Sequence, residues 1–148
     1  MKKLFFGVAL FLGLSSIAAV AQVNNPLVKD PWTKAQLMQP ATLVSILKNP
    51  KSVKPFIFNI GVVEDIQGAK NLGAASKKEN LENFKSALSS LPKNSSVVVY
   101  CGCCPFSKCP NIRPAFLAMQ EAGFKNGRLL NIPTNIKTDW ISKGYPLK

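Results

Sequence analysis

The sequence predicts an α/β domain with a central, mostly parallel β-sheet flanked by helices. Three observations carry that expectation. Short apolar runs of strand length alternate with segments of helical periodicity, the pattern of single crossovers between parallel strands. Residues 97–101, VVVYC, show no polar alternation, which suits a strand covered on both faces. Removing 21 of the 148 residues as a leader leaves 127, enough for a single domain with a core of its own.

That leader is residues 1–21, MKKLFFGVALFLGLSSIAAVA. Two lysines, a short apolar run and the small-residue site Ala19-Val20-Ala21 form the three-part pattern of a cleaved secretory signal. The expectation is export, to a periplasm or the extracellular medium, with no stable membrane anchor after cleavage. Residues 22–36, with Pro26 and Pro31, read as an irregular arm that Trp32 pins to the body, and residues 37–148 as the folded domain.

Within the domain, residues 39–47 form a short helix with Pro40 in its first turn, where a missing amide donor costs nothing, and Asn49-Pro50 ends it. Residues 56–60, FIFNI, have the length and composition of a buried strand, and a second short strand falls around residues 70–73. Ser76 opens the next helix, with Glu79 completing a capping box. Leu81, Phe84, Leu88 and Leu91 then supply one buried stripe, and Pro92 stops it. After the strand at 97–101, Asn111 caps a helix that runs to Gly123. Residues 128–132 form a further strand, and residues 138–143 a closing helical turn finished by Gly144.

Charge narrows the partners. The formal +12 falls to +10 when Lys2 and Lys3 leave with the leader, and no lysine run exceeds two. Scattered, solvated lysines without interleaved aromatics do not form a nucleic-acid surface, so no nucleic acid is expected as partner. Small anions fit the balance better. Oligomeric state is not legible.

All four cysteines, Cys101, Cys103, Cys104 and Cys109, lie within nine residues. Bridges among them would close only tiny loops, so the cluster reads as chemistry more than as a disulfide scaffold. Cys101 falls at the C-terminal end of a strand, where ligands gather in open α/β sheets, and the next helix aims its first turn back toward it. Helix dipole, loop amides, and the cations of Lys108 and Arg113 would favour its thiolate. Gly102, Lys108 and Arg113 are therefore the candidate substrate-binding residues around catalytic Cys101. The chain has no histidine, which excludes a Cys-His pair and any His-ligated metal. No cofactor is expected.

The strand ending in Cys101, the helix ending in Ala122-Gly123-Phe124, the strand over residues 129–132, Ile66-Gln67-Gly68-Ala69 ahead of Asn71, and Trp140 followed by Gly144-Tyr145-Pro146 together resemble the rhodanese-like domain. The resemblance covers about residues 37–148 and is closest to exported members with the same CGCCP…CPN-x-RPA loop. It implies sulfur transfer, with Cys101 carrying a persulfide sulfur from a small anionic donor such as thiosulfate to a thiol or cyanide. The chain departs from the family pattern in three places. It has Asn59-Ile60-Gly61 where members have Asp-x-Arg, Asp65 where they have histidine, and a longer loop over residues 102–110.

Two other readings stand beside sulfur transfer. A thiol–disulfide oxidoreductase would use Cys101 and Cys103 as its working pair, with Cys104 and Cys109 resolving or bridging. A non-enzymatic protein would use the sulfurs as a thiolate site for Cu(I) or zinc, although adjacent Cys103 and Cys104 are poorly placed to chelate one ion, or would present the loop as a binding surface. Trp140 and Tyr145 read as packing residues.

Overall fold

The computed structural model describes residues 30–148. The expected leader and residues 22–29 of the expected arm lie outside the described residues. Five strands, β1 (Leu37–Met38), β2 (Phe56–Asn59), β3 (Ala69–Asn71), β4 (Val97–Tyr100) and β5 (Gly127–Leu130), form one sheet in the order β1-β5-β4-β2-β3. Every pairing between them is parallel. The helices are α1 (Pro40–Lys48), α2 (Lys78–Ser89), α3 (Ile112–Glu121) and α4 (Ile136–Asp139). The α/β class and the parallel sheet are as the sequence predicts.

Strand alternation divides the core between the two faces of the sheet. Phe58, Val97, Val99, Cys101 and Leu129 pack in a cluster with Phe84 and Leu88 of α2 and Ile112, Ala115, Phe116 and Met119 of α3. Ile57, Val98, Tyr100 and Leu130 point the other way, onto Leu43 and Val44 of α1 and Ile136 and Trp140 near the C-terminus. Because successive side chains leave a strand on opposite faces, Cys101 emerges on the side covered by α2 and α3. This parity places the sulfur beneath the start of α3.

Several local expectations are corrected. β1 pairs Leu37 with Leu129 and Met38 with Leu130 in the two residues between the expected arm and the expected helix, where no strand was expected. Ser76 does not cap α2: the N-cap is Lys77, without a side-chain hydrogen bond, and the expected box with Glu79 does not form. The Ser76 amide instead donates to Asn111 Oδ1 at 2.9 Å. Asn111 in turn is helical in backbone and makes no side-chain cap for α3. Tertiary contact has taken the Asn111 side chain that local pattern assigned to a helix end.

The described part of the arm is held to the body as expected. Trp32 is buried and meets Phe106 and Phe116 edge to face, each with ring centroids 5.7 Å apart. At the far end, buried Trp140 packs against Tyr145 with centroids 5.2 Å apart and donates to the Pro146 carbonyl at 3.1 Å. Gly144 takes φ +66, which ends the closing turn. No helix among the described residues is long and apolar enough to cross a membrane.

Candidate functional site

The site begins where β4 ends. Cys101 follows Tyr100 directly and is fully buried. Its neighbour across the sheet is the end of β2, where the Ile60 amide donates to the Tyr100 carbonyl at 2.9 Å. Gly61 then passes so close that a Cβ built on it would lie 2.7 Å from Cys101 Sγ and 2.9 Å from the Cys101 carbonyl oxygen. Only glycine leaves room for the sulfur there.

Buried Asn59 fixes that approach. Its Nδ2 donates to the Val63 carbonyl at 2.8 Å and to Asp65 at 2.9 Å, while its Oδ1 accepts from the Gly61 amide at 3.0 Å. Asn59 and Asp65 thus bond to each other. The turn over residues 60–65 is tied to its own strand, and the Asp65 carboxylate also accepts from Asn71 Nδ2 at 3.0 Å.

Beyond Cys101 the chain turns at Gly102, which is buried and takes φ +69. Its carbonyl accepts from the Ile136 amide at 2.8 Å, and a Cβ would meet that of Ile136 at 2.9 Å. Gly102 therefore anchors the loop to the start of α4. The turn brings Cys103 Sγ to 3.1 Å from Cys101 Sγ and 3.2 Å from Cys104 Sγ. Cys103 is exposed, Cys104 half-buried and Cys109 buried, and none of the four cysteines is in a disulfide.

Asn111 closes the cluster from the helix side. Its Nδ2 donates to Cys101 Sγ at 3.2 Å and reaches Cys103 Sγ at 3.8 Å. Since its Oδ1 is occupied by the Ser76 amide, the side chain is held with its donor end toward the sulfurs.

The anionic sulfur is not the one the sequence suggests. The Cys101 thiol is pushed far above its ordinary range, first by donating its proton to Cys109 and then by burial. Cys109 is pulled down to about 5, chiefly by that hydrogen bond from Cys101, and further by the backbone amides of Asn111 and Ile112. Burial opposes the shift without reversing it. The beginning of α3 does favour a thiolate, but Cys109 lies against its amides and Cys101 serves as proton donor. The expectation of a favoured Cys101 thiolate is corrected: the charge lies on Cys109, and Cys101 is fully buried. Cys104 is raised to about 12, by burial first and then by its sulfur neighbours.

Neither candidate cation donates a hydrogen bond to a sulfur among the described residues. Lys108 is exposed at the end of the turn Phe106–Lys108. Arg113 forms an ion pair with Asp30 at 2.5 Å and lies over the Trp32 ring, 5.3 Å from its centroid. Its position on the first turn of α3 was legible, whereas its engagement by the arm was not. Two surface clefts beside β3 and α2 are lined by residues such as Phe56, Lys70 and Ser90 and contain no cysteine.

Comparison of the chain with protein-family models, curated proteins and solved structures gave no match.

Sequence reasoning missed Gly61, Asn111 as a sulfur ligand, and Cys109 as the thiolate. A glycine at the end of a core strand was the available signal for the first. The other two depend on where α3 docks, which no local pattern states.

Proposed function

We propose that this chain is a rhodanese-like sulfur-transfer protein in which exposed Cys103 takes the sulfane sulfur of a small anionic donor and buried Cys101 shelters it. The observation that carries this reading is the 3.1 Å separation between one exposed sulfur and one buried sulfur. It lies within the distance of a near-attack arrangement.

With thiosulfate as donor, the Cys103 thiolate attacks the outer sulfur, an S–S bond forms to Cys103, and sulfite departs with the electron pair of the broken bond. Cys101 then passes its proton to the Cys109 thiolate as its sulfur attacks the terminal sulfur of that persulfide, and Cys103 leaves as thiolate. No net oxidation of the protein accompanies either step. The Asn111 amide, donating to Cys101 and within reach of Cys103, supports negative charge as it moves between the two sulfurs. Burial of Cys101 keeps the loaded sulfur from water and oxidants until an acceptor thiol enters. The all-parallel sheet and the place of Cys101 at the end of β4 agree with the resemblance in the sequence.

Mass spectrometry of the reduced chain after thiosulfate treatment tests this. One added sulfur on the peptide bearing Cys101 and Cys103, matched by one equivalent of sulfite, is expected; an unmodified peptide contradicts it.

The same contact favours a second reading, a thiol–disulfide couple in which Cys103 meets a disulfide substrate and Cys101 resolves the mixed disulfide. In that case thiosulfate yields no sulfite, while a small disulfide oxidises the pair with release of two thiols.

A further inference from the structure

Transfer between Cys103 and Cys101 places no sulfur on Cys109, which serves only as the acceptor of the Cys101 proton. Yet the sulfurs of Cys101, Cys103 and Cys109 all lie within 4.8 Å of one another. For any triangle with sides no longer than that, one point lies within about 2.8 Å of every corner, close to the roughly 2.3 Å of a metal–thiolate bond. Small side-chain rotations suffice to close the remaining gap. We propose that the reduced trio Cys101, Cys103 and Cys109 binds one monovalent copper ion.

The donor set selects the ion. All three ligands are thiols, and the chain has no histidine to harden the site. Soft thiolate donors suit Cu(I), which accepts low coordination numbers, whereas structural zinc takes four ligands in a tetrahedron. Cys104 does not join the trio, although its sulfur is 3.2 Å from that of Cys103. The awkwardness of two adjacent cysteines on one ion therefore does not arise.

The surroundings suit the charge of the complex. One Cu(I) held by three thiolates carries a net charge of two minus, with no change in oxidation state, and the protons still on the sulfurs pass to solvent. Amide donors face it from one side: the backbone N–H groups of Asn111 and Ile112 at Cys109, and Asn111 Nδ2 at Cys101 and Cys103. Such surrounding donors orient ligands and tune the ion they hold. Exposed Cys103 gives the ion a way in by ligand exchange, and the two buried sulfurs complete the site.

Copper and sulfur loading compete under this assignment, because a persulfide on Cys101 or a Cys101–Cys103 bond removes donors from the trio. Copper binding itself requires no sulfur donor and stands whether or not the chain transfers sulfur.

The test is an anaerobic titration of the reduced full chain into Cu(I) held by the chromogenic chelator bicinchoninate, without any sulfur donor. Loss of the chelator colour corresponding to one copper per chain is expected. Cys103→Ser, at an exposed position, and Cys109→Ser should each weaken binding at least about tenfold to a hundredfold. Circular dichroism confirms that each variant is folded, and Cys104→Ser should bind as the parent does. No copper withdrawn from the chelator, or equal binding by folded Cys103→Ser, overturns the proposal. So does binding that depends on Cys104 in place of Cys109. Displacement of the bound copper by equimolar zinc overturns the choice of ion.

Discussion

Asn111 and Cys101 are joined by a hydrogen bond of 3.2 Å from the Asn111 amide nitrogen to the sulfur, at the meeting of the β4 end with the start of α3. The other end of the same amide accepts from Ser76, so one side chain ties the α2 entry, the α3 entry and the sulfur cluster together. Asn111→Ala removes both bonds and leaves the Ser76 amide without its acceptor. The expected cost is about 1–3 kcal/mol of stability, seen as a lower denaturant midpoint at unchanged slope. Persulfide formation on Cys101 should also slow. An unaltered midpoint contradicts the bridging role.

Cys109 gives a pH signature in the metal-free, reduced protein. Its folded pKa is lowered to about 5, so its thiolate persists through neutral pH. Between that value and the ordinary thiol range near 8.5, the unfolded chain binds the extra proton, and stability rises with pH. The contribution is complete above the ordinary range and is lost as pH falls through about 5. Above the ordinary range Cys101 acts in the opposite sense, because its folded pKa is raised and stability declines as pH climbs further. Ultraviolet thiolate absorbance should show one anionic sulfur retained to about pH 5 in the parent, and its loss in Cys109→Ser. A parent whose thiols all titrate in the ordinary range contradicts the assignment.

Arg113 should prove to belong to the arm. Its guanidinium pairs with Asp30 and covers Trp32, so Arg113→Ala should leave the KM for thiosulfate within about twofold of the parent. Because the pair is partly exposed, the stability loss should be no more than about 1 kcal/mol. A large rise in KM would restore Arg113 to the donor site.

How much of this was legible in the chain depends on the range of the forces involved. The run VVVY and the stripe containing Phe84 and Leu88 announce buried elements by composition and period alone, and both are buried. β1, two residues long, is too short to show any period and exists by pairing with β5. Ser76 and Asn111 each matched a helix-cap pattern, but α2 begins after Lys77 and the Asn111 side chain bonds the Ser76 amide across 35 residues instead. The position of Cys101 at a strand end was readable. Which sulfur holds the charge was not, because it depends on amides of α3 that reach Cys109 only once the helix is docked.

The central claim, that sulfur enters at Cys103 and is sheltered on Cys101, is tested most directly by following each sulfur separately after brief thiosulfate treatment. In Cys101→Ser the added sulfur should stay on Cys103 and disappear rapidly on addition of a small thiol. In Cys103→Ser no sulfur should be loaded, and in the parent it should reside on Cys101 and resist the same thiol for longer. Loading of Cys101 at the parental rate in Cys103→Ser would contradict the relay.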